Sequence, residues 1–167
     1  AAFDHGAQFL TVRSERFACE VATWVARGRV REWSRGFADA TGVVAHDGHP
    51  RYAVTEGMSA LARDLAASLP VRLATTVTSL AWHRVWSIGL SSRDTLAADV
   101  VVLTPPVEQS LALLDTGGTV IPSIARAQLE RIAYDPCFAL LVELDGPSAV
   151  PEPGAVQLQG DPILWMA

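Results

Sequence analysis

Val100-Val101-Val102-Leu103-Thr104-Pro105-Pro106 is the stretch on which the fold turns. Four consecutive apolar residues, three of them β-branched, lack the in-and-out alternation of a half-exposed strand. Such a run is the pattern of a strand covered on both faces in a parallel sheet. Two successive prolines cannot continue a ladder, so the strand closes at Thr104. Thr104 is placed to cap a following helix, and Pro105 suits its first turn, where the missing N–H has no intrahelical partner anyway. Leu111 and Leu114 carry the apolar face onward. A covered strand running into a helix is part of a βα unit, and the fold class expected is α/β.

Working outward, Val71, Leu73, Thr75 and Val77 alternate, as do Trp86, Ile88 and Leu90, so strands are expected there. Residues 71–77 should share one sheet with residues 100–103. Ahead of them, Thr55-Glu56-Gly57 opens a helix that buries Met58, Leu61, Leu65 and Leu69 and stops at Pro70. An earlier helix starts at the cap Ser14, buries Phe17, Val21, Trp24 and Val25 on one face, and ends at Gly28. Residues 34–50, with Gly36, Gly42, Gly48 and Pro50, read as loop or irregular strand. After Gly117-Gly118, residues 123–133 read as helix and residues 137–144 as a buried strand ended by Asp145-Gly146-Pro147. The final Ile163-Leu164-Trp165-Met166-Ala167 stops inside an apolar run with no turn residue, as expected of an internal piece of a longer polypeptide.

With 167 residues, half of them apolar, the chain can bury the core of an ordinary domain. Its 18 acidic and 13 basic residues, net charge −5, are spread without a basic stripe, so nucleic acid is not an expected partner. Every basic residue is arginine, which removes lysine Schiff-base chemistry from this chain. Cys19 and Cys137 form no CxxC and read as two buried, reduced thiols, which suits a cytoplasmic setting. No segment reaches the ~18 apolar residues of a membrane span, and no basic-then-apolar leader opens the chain.

No GxGxxG, Walker loop, GxSxG or HExxH occurs. The stretch His46-Asp47-Gly48-His49 offers at most three ligands with none elsewhere to complete them, so it reads as a solvated loop and no metal is expected. His5 reads as structural rather than as a proton carrier, and Glu143 and Asp145 receive no acid–base role. Trp24, Trp33, Trp82, Trp86 and Trp165 lie in different expected elements and read as packing rather than as an aromatic cage. No catalytic side chain is assigned.

Asp4-His5-Gly6-Ala7-Gln8-Phe9 resembles the D-x-G-A-Q-[YF] segment of renalase-like flavoproteins, in the flavin-containing amine-oxidase superfamily. Glu56-Gly57-Met58-Ser59-Ala60-Leu61 is similar to a helix start of that family, and Thr76-Val77-Thr78-Ser79-Leu80 to its adenine-side strand. Val101-Val102-Leu103-Thr104-Pro105-Pro106-Val107 is similar to its sheet-to-helix corner, and Ala127-Gln128-Leu129-Glu130-Arg131-Ile132-Ala133-Tyr134 to the entry of its substrate sheet. The resemblance implies a Rossmann-type FAD-binding domain interleaved with an α+β substrate domain containing an antiparallel sheet. Residues 1–54 would hold the flavin-contacting segment and the first part of the substrate domain, 55–115 part of the FAD-binding domain, and 116–167 the second part of the substrate domain.

The resemblance also implies FAD contacts at Gly6, Ala7, Gln8, Phe9, Val77, Thr104, Pro105 and Pro106. The reaction implied is hydride transfer from a reduced small molecule, a dihydronicotinamide dinucleotide isomer, to flavin, with oxygen as acceptor. Two alternatives are an amine or polyamine oxidase and a non-catalytic α/β interaction module. The amino-terminal GxGxxG and the carboxy-terminal G-D segment of the family are absent, so the isolated piece is expected to bind FAD weakly and to need the remainder of its own polypeptide as partner.

Overall fold

A computed structural model describes residue 4 and residues 6–160 and 162–167. The described elements run β1 (Leu10–Thr11), α1 (Glu15–Ala26), β2 (Val30–Ala38), β3 (Val44–Val54), α2 (Met58–Ala66), β4 (Val77–Trp82), β5 (Trp86–Leu90), β6 (Thr95–Ala98), α3 (Val107–Thr116), α4 (Ser123–Leu129), β7 (Val156–Gln157) and β8 (Trp165–Met166). Helices with one mixed and one antiparallel sheet make this an α/β fold. The chain forms two compact units, Ala1–Leu69 with Phe138–Ala167, and Pro70–Cys137.

The first unit is built on a five-stranded sheet in the order β1-β3-β2-β7-β8, antiparallel except where Ala38 of β2 meets Val156 of β7. Residues 34–50 fall within its long β2–β3 hairpin, as irregular strand with register shifts in β2 and a short connecting loop at residues 39–43. Their glycines hide the strand from an alternation test, yet one of them is what the pairing needs. A Cβ on Gly36 would lie 1.9 Å from the Ala45 carbonyl oxygen, at a register shift in β2. The turn is closed by Asp39, whose Oδ1 accepts from the amides of Thr41 at 2.8 Å and Val43 at 3.1 Å.

Helix α1 starts where expected. Ser14 is extended and its Oγ accepts from the Phe17 amide at 3.3 Å. Val21 is buried and Phe17 meets Trp24 edge-on, while Val25 is exposed, so the apolar face is narrower than expected. Helix α2 likewise buries Leu61 but leaves Leu65 exposed, and it ends at Ala66, so that Leu69, also exposed, lies beyond it.

The second unit is a β4-β5-β6 meander with α3 packed on it, around Leu80, Leu111 and Leu114. Leu80 is 1% exposed, and burying such a side chain stabilises by about 1.5–3 kcal/mol. Trp86 and Ile88 pack on this cluster from β5, as their alternation requires. The chain after α3 returns so close to β4 that a Cβ on Gly117 would stand 2.0 Å from the Leu80 oxygen. Thr119 then acts as a short surrogate strand. Its hydroxyl donates to the Leu80 oxygen at 2.7 Å and accepts from the Trp82 amide at 3.0 Å, closing that part of the outer edge of β4.

Three expected strands do not form. Residues 71–76 and 100–103 lie outside the sheets, with Leu73 83% and Val102 81% exposed. An interior parallel strand needs a hydrogen-bonding neighbour on each edge. Among the described residues no strand lies beside either segment, so the two do not share a sheet. Residues 137–144 are also irregular, with Phe138 94% exposed. Thr104 does not cap α3, and Pro105 is not in its first turn. The helix begins one residue after Pro106, and the Tyr134 hydroxyl accepts from the Val107 amide at 3.2 Å. Helix α4 stops at Leu129, short of residue 133. Cys19 and Cys137 are both exposed rather than buried, Cys19 because α1 turns Val21 and not Cys19 inward. Among the described residues no helix is long and apolar enough to cross a membrane.

Candidate functional site

In the first unit, Asp4 and residues 6–11 belong to a span fixed at both ends. Helix α2 has no side-chain cap of its own, because Gly57 with φ +84° stands at the cap position. The Asp4 carboxylate takes that place, its Oδ1 and Oδ2 accepting from the Met58 amide at 2.9 and 3.1 Å. At the other end Leu10 and Thr11 pair with Tyr52 and Arg51 of β3, and the Val12 amide donates to the Pro50 oxygen. Between the anchors Gly6 and Ala7 are exposed, and a Cβ on Gly6 would meet nothing within 4 Å. Gln8 and Phe9 turn half-buried toward the sheet.

Phe9 belongs to an aromatic layer. Its ring meets Trp33, Phe37 and Trp165 with centroids at 5.9, 5.2 and 6.1 Å, and Phe37 meets Trp33 at 5.1 Å and Trp165 at 4.6 Å. The edge and tilted geometries suit the ring quadrupoles. Two tryptophans from different elements thus converge after all, while Trp24, Trp82 and Trp86 stand in other pairs. The Trp33 indole N–H donates to the Pro153 oxygen at 2.7 Å, and that of Trp165 to Gln8 Oε1 at 2.7 Å. An indole can only donate, so the Gln8 oxygen must face Trp165 and its NH2 the opposite way.

The Arg51 guanidinium lies 5.0 Å over Phe37 and holds Asp47 in a two-pronged pair at 3.0 and 2.6 Å. Hydrogen bonds from Arg51 first, and from the His49 amide next, hold the Asp47 carboxyl well below the usual carboxylate range. His46 and His49 are therefore exposed positions of β3 beside a carboxylate already engaged by arginine, not a loop. Among the described residues no group of three His, Cys, Asp or Glu side chains gathers. His5 lies outside the described residues.

The other proposed contacts lie in the second unit. Val77 opens β4, an edge strand, and packs on the Leu80 cluster. Pro105 lines a shallow apolar depression of about 210 Å³ with Leu103, Val107, Leu111, Leu114 and Leu129. Thr104 and Pro106 are exposed beside it. Glu143 and Asp145 are exposed in the irregular stretch.

The sequence reading missed Asp4 as an anchor and Trp33, Phe37, Arg51 and Trp165 as one surface. The signal for the first was weak, since Gly57 at the helix start brings no capping side chain and leaves the first amides to water or to a group from elsewhere. Nothing local signals the second, because the rings come from the approach to β1, from β2 and from β8.

A span with exposed small residues thus runs beside an aromatic layer on an α/β fold. The family model of flavin containing amine oxidoreductases matches residues 5–165, and the chain belongs to that family. Membership brings a flavin-dependent oxidoreductase activity and a flavin cofactor. At Gly6 and Ala7 exposed backbone without bulk adjoins Gln8 and Phe9, which leaves room for a flat ring. For the pyrophosphate the sequence has no Gly-rich turn of the Rossmann kind.

Proposed function

We propose that this chain is part of a renalase-like FAD-dependent oxidase, in which residues 6–9 lie against the flavin ring and the aromatic layer walls the substrate space. The observation that carries this reading is the span itself, anchored at Asp4 and Leu10 with Gly6 and Ala7 exposed between them. When bound, the flavin supplies the acceptor for the substrate's hydride and passes the electrons to oxygen. The chain's own residues exclude water, orient the ring and present the Gln8 amide.

The substrate we favour is a dihydronicotinamide dinucleotide isomer. A flat ring bearing a carboxamide suits a wall of aromatic edges with an amide beside it, whereas an ammonium would meet the Arg51 guanidinium at the rim, with Asp47 already engaged. The second reading, an amine or polyamine oxidase, is favoured by the same aromatic layer, which could serve as a slot for a neutral amine. Val77 and residues 104–106 are assigned to the nucleotide side, and residues 55–115 to the FAD-binding domain. The rest of the polypeptide is assigned as the partner that completes the sheet, supported by the exposure of Leu73, Val102 and Phe138. A cytoplasmic location is part of the reading and is supported by two unpaired cysteines.

The test is the visible spectrum of the purified full-length polypeptide, followed by oxygen uptake with dihydronicotinamide isomers and with amines. Flavin bands and turnover of the isomers are expected. Turnover of amines alone would transfer the assignment to the second reading, and a colourless protein would leave a non-catalytic module.

A further inference from the structure

We propose that Asp4 is a positioning residue for the flavin, its carboxylate clamp on α2 setting where Gly6 and Ala7 stand; this rests on the function proposed above. Three observations meet at it. First, the clamp joins a residue at the start of the span to one 54 positions away, and it is the side-chain partner that the structure gives the Met58 amide. Second, Gly57 at φ +84° has no side chain with which to cap α2, so the helix end and the span share one carboxylate. Third, among the described residues no backbone hydrogen bond holds residues 6–9 between Asp4 and β1. A stretch without its own ladder takes its course from its anchors, and six residues reach at most ~20 Å when extended. Gln8 is held by the Trp165 indole and Phe9 by the aromatic layer, so releasing the Asp4 end frees Gly6 and Ala7, which then hinge on Gln8.

Such a residue touches no reacting atom. Its effect is on how closely the backbone at Gly6 approaches a flat ligand, which an error of an ångström degrades. Asp4→Ala removes the clamp, and Asp4→Asn keeps one acceptor oxygen but not the charge that the helix end favours. Ser14→Ala is the control, because it removes the cap of α1 in the same unit without touching the span.

The experiment uses the full-length polypeptide stripped of flavin, with FAD returned in a fluorescence titration and the exchange rate of the Met58 amide followed in parallel. Met58 should exchange faster in Asp4→Ala, and FAD should bind about tenfold more weakly. Asp4→Asn should fall between it and the parent, and Ser14→Ala should bind FAD as the parent does. Equal FAD affinity in Asp4→Ala and Ser14→Ala, with Met58 exchange accelerated only in the former, would reduce Asp4 to a helix cap and overturn the inference while leaving the proposed function standing. If Asp4→Ala does not fold, Asp4→Asn decides: parent-like affinity with accelerated Met58 exchange overturns the inference. A parent polypeptide that binds no FAD would sink the proposed function and this inference together.

Discussion

Gly6 and Gly117 are both glycines, and the structure asks opposite things of them. At Gly117 the return of the chain onto β4 leaves no room, since an added Cβ would lie 2.0 Å from the Leu80 oxygen and 2.2 Å from its carbon. Backbone cannot swing aside as a flexible side chain can, so Gly117→Ala should destabilise the second unit by about 1–3 kcal/mol in urea unfolding. At Gly6 an added Cβ meets nothing, so Gly6→Val should change stability by no more than ~0.5 kcal/mol. Its cost should appear in the cofactor. The two methyl groups would stand where the proposed function puts the flavin ring, and flavin content of the purified full-length variant should fall while its circular dichroism is unchanged. Full flavin occupancy in Gly6→Val would remove residues 6–9 from the ring.

Between elements, the contact most open to titration is the one that ties α3 to α4. Arg126 holds Asp115 through two bonds at 2.7 and 2.8 Å, and this hydrogen bonding is the main cause that lowers the Asp115 carboxyl below its ordinary value. A carboxylate lowered in the folded state adds stability above its unfolded value, near pH 4, and that contribution is lost as the pH falls through the folded one. Asp115→Asn should therefore flatten the pH dependence of the unfolding midpoint below about pH 4. Asp47, lowered by Arg51 and the His49 amide, and Asp39, lowered by Thr41 and Val43, keep part of the slope, and a variant with the parent's full slope would count against the pair.

Elements of this kind were legible in the sequence wherever local chemistry fixed them. Ser14 and Gly28 bracket α1, and Trp86, Ile88 and Leu90 mark β5, because cap, stop and alternation are short-range. Partners supplied from a distance left no such mark. Thr104 looks like a cap, yet Tyr134 does the capping, and the run of residues 100–103 looks like a strand without telling which strand would lie beside it. For the candidate site, the family resemblance put forward residues 6–9, whereas the layer of Phe9, Trp33, Phe37 and Trp165 exists only once the sheet has formed.

For the whole molecule, the apolar side chains left outside the two cores are the most telling feature. Val102, Phe138 and Leu140 are each more than four-fifths exposed, in segments whose composition suits a sheet interior. On the function proposed above, the 167-residue chain expressed by itself should bind a hydrophobic dye and self-associate in sedimentation, and the longer polypeptide proposed to contain it should do neither. Dye binding of equal strength in both would mean that the remainder of the polypeptide does not cover these stretches. The remote caps have a consequence of another kind, in time rather than in space. The first turns of α2 and α3 wait on closures of 54 and 27 residues, so neither helix can complete its amino end from its own neighbourhood. Folding should add these contacts after its rate-limiting step, and unfolding should begin by losing them. Tyr134→Phe would then quicken unfolding and leave the folding rate nearly untouched.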